Sequence, residues 1–179
     1  MFFKKTHTPE YQLVGDEQIV METSKGTIRV ELDCDGAPIH AANFCELATM
    51  GFYDGLKFHR YVPGFVIQGG CPNTRDMTSA QVAAGQAGPD GQPGTGGPGW
   101  NIREEFSTNP RNSHEDGALA MARSMDPNSA GSQFYFCLGP QHNLDSGYTV
   151  FGSTLEGKDV IAALRAGDEI VRVSVEHGA

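Results

Sequence analysis

A chain of 179 residues suits one domain, and folding at that size buries enough surface to need no disulfide or metal staple. Lys and Arg number 13 against 22 Asp and Glu, a formal net charge of −9, which argues against a nucleic-acid partner because phosphate binding runs on clustered cations. A hydrophobic share of 39% with 20% charged residues argues against disorder, and 23 Gly point to many turns and a β-rich fold.

Residues 1–18 carry Lys4 and Lys5 with no apolar run after them. They read as a peripheral N-terminal extension rather than a secretory signal, and the domain proper is placed at 19–179. No apolar stretch approaches ~18 residues, so no membrane span is expected and the cytoplasm is the default location. Residues 19–23 predict a short strand, and Ser24-Lys25-Gly26 predicts a turn. Residues 27–33 alternate Ile28, Val30 and Leu32 with Arg29, Glu31 and Asp33, a half-buried strand that completes a hairpin.

Pro38 fits the first turn of a helix, where its missing N–H costs nothing. Ala41, Phe44, Leu47 and Ala48 then share one helical face, and Gly51 ends it. Residues 57–62 and 65–68 are β-like runs joined through Pro63-Gly64. From 71 to 99 the pattern collapses into Gly and Pro, which predicts one long surface loop; such loops are often functional. Residues 117–123, 133–138 and 148–151 read as strands. Residues 158–166 read as a second helix, with Val160, Ile161 and Leu164 on one face and Gly167 as its stop. A last strand alternates Val171, Val173 and Val175 with Arg172, Ser174 and Glu176. Many short strands with two separated helices predict a mainly β fold, a closed barrel capped by helices.

Several motifs are chemically suggestive and lack their context. Gly94-Thr95-Gly96-Gly97-Pro98-Gly99 spells a dinucleotide fingerprint, but no strand precedes it and no helix follows. His114-Glu115-Asp116 has no second His at metal spacing and reads as a surface turn. Cys34, Cys45, Cys71 and Cys137 form no C-x-x-C pair, so four reduced thiols in a reducing compartment are expected. No serine sits in a nucleophile elbow. No metal and no cofactor is expected.

One run stands apart: Phe58-His59-Arg60-Tyr61-Val62-Pro63-Gly64-Phe65-Val66-Ile67-Gln68-Gly69-Gly70. A cation and an amide eight residues apart bracket a Pro-Gly turn, so two adjacent strands would set Arg60 and Gln68 side by side, with Phe65 and Val66 as an apolar wall. This run resembles the cyclophilin-type peptidyl-prolyl isomerases. The resemblance continues through Ala41-Ala42-Asn43-Phe44, Ala118 to Arg123, Gly131-Ser132-Gln133-Phe134 and Tyr148 to Gly152, and covers about 155 residues in the family's order. It is closest in style to the bacterial subgroup.

The resemblance implies an eight-stranded antiparallel barrel capped by two α-helices, with its groove on the outside. It implies cis–trans isomerisation of X–Pro bonds in proteins, assisting folding, with no cofactor, metal or covalent intermediate. By resemblance Arg60 is the catalytic cation and Gln68 its orienting amide. Phe65, Val66, Tyr135 and Leu144 match the lining of the proline slot, and Ala122, Arg123, Gln133 and Tyr148 match its substrate-binding rim. His59 reads as structural.

Four positions depart from the family's pattern. Val66 stands for a methionine, Tyr148 for a histidine, and Tyr135 for a phenylalanine deep in the slot, adding a hydroxyl that needs a partner. Asn143 stands where cyclosporin-sensitive members carry tryptophan, so cyclosporin binding is expected to be weak. Proline-bearing peptides and protein clients are the expected partners, and monomer is the default state. The altered slot leaves one alternative, a proline-segment binding module or chaperone with little turnover.

Overall fold

The computed structural model describes residues 4–178. Ten strands run in chain order: β1 (Lys5–Thr6), β2 (Glu17–Thr23), β3 (Gly26–Leu32), β4 (Arg60–Val62), β5 (Val66–Gly69), β6 (Trp100–Asn101), β7 (Ala118–Met121), β8 (Phe134–Cys137), β9 (Val150–Glu156) and β10 (Ile170–His177). Eight of them form one antiparallel sheet in the order β10-β2-β3-β9-β7-β8-β5-β4. The sheet is a half-barrel wrapped around its apolar core.

Strand pairing does not close the barrel, which corrects the sequence expectation. Among the described residues its edges β4 and β10 share no ladder. The irregular segment before β4 bridges them instead. Gly55 N donates to Ile170 O, Ile170 N to Leu56 O, Phe58 N to Asp168 O and Gly167 N to Phe58 O, all at 2.8–2.9 Å. A β-strand at the edge would otherwise leave those groups open to a foreign chain.

There are three α-helices among the described residues, not two: α1 (Pro38–Thr49), α2 (Ser79–Ala83) and α3 (Lys158–Ala163). The additional one, α2, lies inside the Gly/Pro-rich 71–99 stretch and so corrects its reading as plain loop. Its signal is local, a capping box in which Thr78 Oγ1 accepts from Gln81 N and Gln81 Oε1 accepts from Thr78 N. The same stretch holds a short 3-10 turn, Pro72–Thr74, and two backbone hydrogen bonds between Gly88 and Gly91. Helix α3 ends before its predicted stop, because Leu164 turns extended and drops its side chain into the core.

The core follows the alternation of the strands. Ile28, Val30 and Leu32 of β3 point inward, as do Leu119 and Met121 of β7 and Phe134 and Phe136 of β8. Against them pack Ala41, Phe44, Leu47 and Ala48, the predicted face of α1. Phe44, Tyr53 and Phe134 form an aromatic knot with ring centroids 4.6–5.5 Å apart. The period-2 expectation fails in β10, where Val171 lies outside. A bulge between Ile170 and Arg172 shifts the register, so Ile170 and Val173 face the core.

Residues 5–10 are tied to the body of the domain. β1 pairs in parallel with β6, the His7 ring lies tilted against Trp100 with centroids 4.2 Å apart, and Glu46 of α1 accepts from Glu10 N. Asp16, Glu17 and His177 bring ligand-type atoms within 4.8 Å of one another. The buried Glu17 carboxylate is already occupied by Val14 N, Gly15 N and Cys34 Sγ, and His177 pairs with Asp16, so the cluster reads as turn architecture.

The N-cap of α1 is Ala37, whose methyl group cannot accept a hydrogen bond from the first turn. The buried Glu105 caps it from elsewhere in the chain, accepting from Ile39 N, His40 N and His40 Nδ1 at 2.7–3.1 Å. Removing that carboxylate strands three donors, two of them on the buried His40. Glu105→Ala is therefore expected to lower the unfolding free energy by about 3 kcal/mol in urea titration. A loss below about 1 kcal/mol would show that water replaces the cap.

Candidate active site

The site lies on the outer face of the sheet, opposite the core. The β4–β5 hairpin turns through Pro63-Gly64, closed by Phe65 N donating to Val62 O at 3.0 Å. Its register sets Arg60 opposite Gln68. The next pairings set Gln68 opposite Tyr135 and Tyr135 opposite Ala120. Arg60, Gln68, Tyr135 and Ala120 thus form one row across four strands. Directly opposed residues share a face, so all four present side chains to the same side. One row along β8, Val66 faces Cys137. Val66, Ala118, Ala120, Tyr135 and Cys137 make a small second cluster on this outer face, with Phe65, Ala122, Leu144 and Tyr148 packed around it.

A cavity of about 450 Å³ opens there. Arg60, Phe65, Val66, Gln68, Ala122, Arg123, Tyr135, Leu144 and Tyr148 line it, with His59, Pro93 and Gly94 completing the wall. Gln133 lines an adjoining cavity of about 380 Å³ that shares Gln68, Ala122 and Arg123 with the first. Every site residue singled out in the sequence therefore borders one continuous outer groove. Asn143 is exposed on the turn that carries Leu144 and does not line the cavity.

A polar chain runs along the groove. Arg60 Nη1 lies 3.5 Å from Gln68 Oε1, a long contact that leaves the guanidinium's other donors open. Gln68 Nε2 donates to Gln133 Oε1 at 3.1 Å, and Gln133 Nε2 donates to the carbonyls of Gly94 and Gly96 at 2.9 and 2.8 Å. Gly94 and Gly96 belong to the glycine-rich run whose letters spell a dinucleotide fingerprint. Its carbonyls anchor a site glutamine. Arg123 packs its guanidinium over the Tyr148 ring at 4.6 Å and donates from Nε to Gly147 O, which fixes the rim.

The His114-Glu115-Asp116 turn is the main correction at the site. His114 is fully buried, not a surface residue. Its Nδ1 lies 2.8 Å from Asp145 Oδ1 and its Nε2 lies 2.8 Å from Tyr135 Oη. The Tyr135 hydroxyl therefore has its partner beneath the slot. Sequence reading missed His114 and Asp145 because Tyr135, His114 and Asp145 meet only in the fold. The one available signal was the surplus hydroxyl at 135.

Burial sets the protonation states. It pushes the Tyr135 phenol well up, so it remains a donor at neutral pH. Burial lowers the His114 pKa, outweighing the opposing pull of Asp145. Burial also pushes Asp145 upward, but hydrogen bonds from the His114 backbone and ring and from His142 outweigh that and hold its carboxyl below its usual range. His59, beside Arg60, has a buried Nδ1 with no hydrogen-bond partner. Burial, aided by the Arg60 charge, lowers its pKa to about 4. Cys34, Cys45, Cys71 and Cys137 are free, and burial pushes Cys34 and Cys137 up to about 12, far from thiolate chemistry.

Comparison with known proteins gives a consistent result. The family described as cyclophilin type peptidyl-prolyl cis-trans isomerase/CLD matches residues 18–177. A peptidyl-prolyl cis-trans isomerase of Synechococcus elongatus is 42% identical over 160 residues, covering 88% of this chain and 95% of that protein. The Bacillus subtilis peptidyl-prolyl cis-trans isomerase B is 42% identical over 149 residues, covering 83% and 90%. Among solved structures, a Cryptosporidium parvum cyclophilin-type isomerase superposes with a TM-score of 0.74 at 24% identity, covering 92% of this chain and 99% of that one. The same parasite protein solved in the presence of the dipeptide Ala-Pro superposes at 0.73. At that identity these two speak for the fold.

The His59 shift has a consequence for stability. A histidine held neutral below its ordinary 6.5 binds fewer protons folded than unfolded, so acid favours unfolding. Stability is expected to fall as pH drops from 6.5 towards about 4, by about 2 kcal/mol after allowing for partial exposure, with His114 acting in the same direction. Urea unfolding at pH 7 and 4.5 measures this, and His59→Leu should flatten part of the decline.

Proposed function

The chain belongs to the cyclophilin-type peptidyl-prolyl cis-trans isomerase family, and on that premise we propose that Arg60 catalyses rotation of X–Pro bonds in protein chains by hydrogen-bonding the prolyl nitrogen as the bond twists. The barrier to peptide rotation is ~18–20 kcal/mol because the nitrogen lone pair is delocalised into the carbonyl. Free X–Pro bonds take ~10–100 s to exchange. Bringing that to milliseconds removes about 5–6 kcal/mol. At the twisted transition state the nitrogen regains its lone pair. A donor aimed at it bonds that state and not the planar ground state, which is the differential that catalysis needs.

Arg60 suits the task. Its guanidinium stays charged, offers several N–H groups in a fixed fork, and meets Gln68 through one long contact, so donors remain for a substrate. Gln68, held by Gln133, orients the guanidinium and the substrate carbonyl. The proline ring occupies the apolar slot of Phe65, Val66, Tyr135 and Leu144, and the preceding residues lie along Ala122, Arg123, Gln133 and Tyr148. The carrying observation is the single row Arg60–Gln68–Tyr135 on one face of the sheet, which supports reading the three as donor, orienting amide and slot floor. The clients are proline-bearing peptides and proteins, and assisting their folding is the reaction's use. Of the three altered positions that motivate a binding-only module, Val66, Tyr135 and Asn143, the engaged Tyr135 hydroxyl weakens the case at one. Among the described residues no helix is long and apolar enough to cross a membrane.

Arg60→Ala is expected to cost roughly 100-fold in kcat/KM on an Ala-Pro test peptide followed by NMR exchange, with unchanged far-UV circular dichroism. A point-charge Arg60→Lys should not restore it. Retained turnover in Arg60→Ala would move the donor elsewhere. Cyclosporin should inhibit the natural chain weakly, and Asn143→Trp should tighten inhibition by roughly tenfold or more, about 1.4 kcal/mol.

A further inference from the structure

We infer that His114 is a positioning residue of the proline slot: it accepts the Tyr135 hydroxyl from beneath, keeping a polar group engaged away from the substrate, and acid reverses this by protonating the acceptor. The inference rests on the isomerase reading above and deepens it.

The direction of the hydrogen bonds follows from donor inventory. The Asp145 carboxylate can only accept, and its Oδ1 takes both His114 N at 2.7 Å and His114 Nδ1 at 2.8 Å. His114 Nδ1 therefore carries the proton. A neutral imidazole has one N–H, so Nε2 is bare and must accept from Tyr135 Oη at 2.8 Å. The two rings lie nearly parallel, 13° apart. Tyr135 itself forms the slot floor with Leu144 and Tyr148. With its hydroxyl engaged, Tyr135 presents a bare ring to substrate, as a phenylalanine would.

Protonated His114 would donate from both nitrogens. Nε2–H would then point at Tyr135 Oη, whose own O–H would be left without an acceptor at the floor of an apolar slot. An unpartnered hydroxyl there disfavours a buried proline ring. The charged and titratable groups around His114 are Asp145 on its Nδ1, Tyr135 on its Nε2 and His142, which pairs with the other Asp145 oxygen and approaches Glu115. Around Tyr135 they are Cys137, Tyr148 and Arg123. Of these, Asp145 favours protonating His114, while burial and His142 oppose it.

The test uses the full chain in three readouts. Long-range proton–nitrogen spectra of labelled histidine at pH 7.5 should show His114 protonated on Nδ1 and bare on Nε2. A proton on Nε2 overturns the inference. The kcat/KM on an Ala-Pro peptide should fall roughly threefold or more between pH 7.5 and 5, largely through KM. Tyr135→Phe, whatever its own level at pH 7.5, should lack that acid limb, and an unchanged limb overturns the inference. His114→Leu should cost roughly tenfold in kcat/KM when Tyr135 is present and under about twofold when the partner is Tyr135→Phe. Equal losses in both backgrounds mean a merely structural histidine and overturn the inference. If His114→Leu does not fold, the spectrum and the Tyr135→Phe profile still decide. A natural chain with no turnover at pH 7.5 defeats the isomerase reading alone; the spectrum, with Ala-Pro peptide shift titrations of the natural and Tyr135→Phe chains at both pH values, then decides His114.

Discussion

Strand β8 is the constraint on which the rest depends. All four of its residues are buried, so it has no face to give to water. Phe134 and Phe136 fill the barrel, while Tyr135 and Cys137 build the outer site. Because side chains alternate with a period of two, moving the strand by one residue would exchange core and site together. The neighbours pin it: β5 on one side and β7 on the other pair with it residue for residue. Packing of the aromatic core therefore sets where the groove lies, and stability and site geometry are two consequences of one register.

The groove's polar parts use the same economy. Gln68 and Gln133 are neutral amides with both donor and acceptor ends, so they can hand a hydrogen bond along without a net charge to desolvate. The chain ends on the carbonyls of Gly94 and Gly96, whose own N–H groups donate to Cys71 Sγ at 3.2 and 3.3 Å. The loop at 71–99 is thereby part of the support of the site, tied through Cys71 to the end of β5. Gly70 makes that tie possible. At φ +88 it takes a conformation other residues resist, and a Cβ there would lie 2.5 Å from Ser132 O.

Much of this was legible in the sequence, and the failures share a cause. The hairpin through Pro63-Gly64 is local, so the Arg60–Gln68 adjacency could be read from spacing alone. The alternation of β3 and the face of α1 follow from periodicity, and β2, β5, β7 and β8 from short β-like runs set off by turn residues, all of which are local. The bulge that turns Val171 outward, the bridging of β4 and β10 by residues 55–58 and 167–170, and the capping of α1 by Glu105 are contacts between distant segments. No window of sequence contains both halves of them. Helix α2 is different, since its capping box lay in view at Thr78 and Gln81, masked by the glycines after it.

The Tyr135 hydroxyl joins these two kinds of knowledge. A phenol in an apolar slot is a local conflict, and such a conflict persists only if the fold resolves it elsewhere. The resolution is 21 residues away at His114 and a further 31 from there at Asp145, on a turn that composition alone makes look exposed. It also has a condition attached. Phenylalanine would satisfy the slot at any pH, whereas tyrosine does so only while its acceptor is a neutral imidazole. The substitution thus couples the shape of the slot floor to a proton equilibrium that burial has moved below the ordinary histidine range. The groove can serve neutral conditions as if the hydroxyl were absent, and it loses that equivalence in acid.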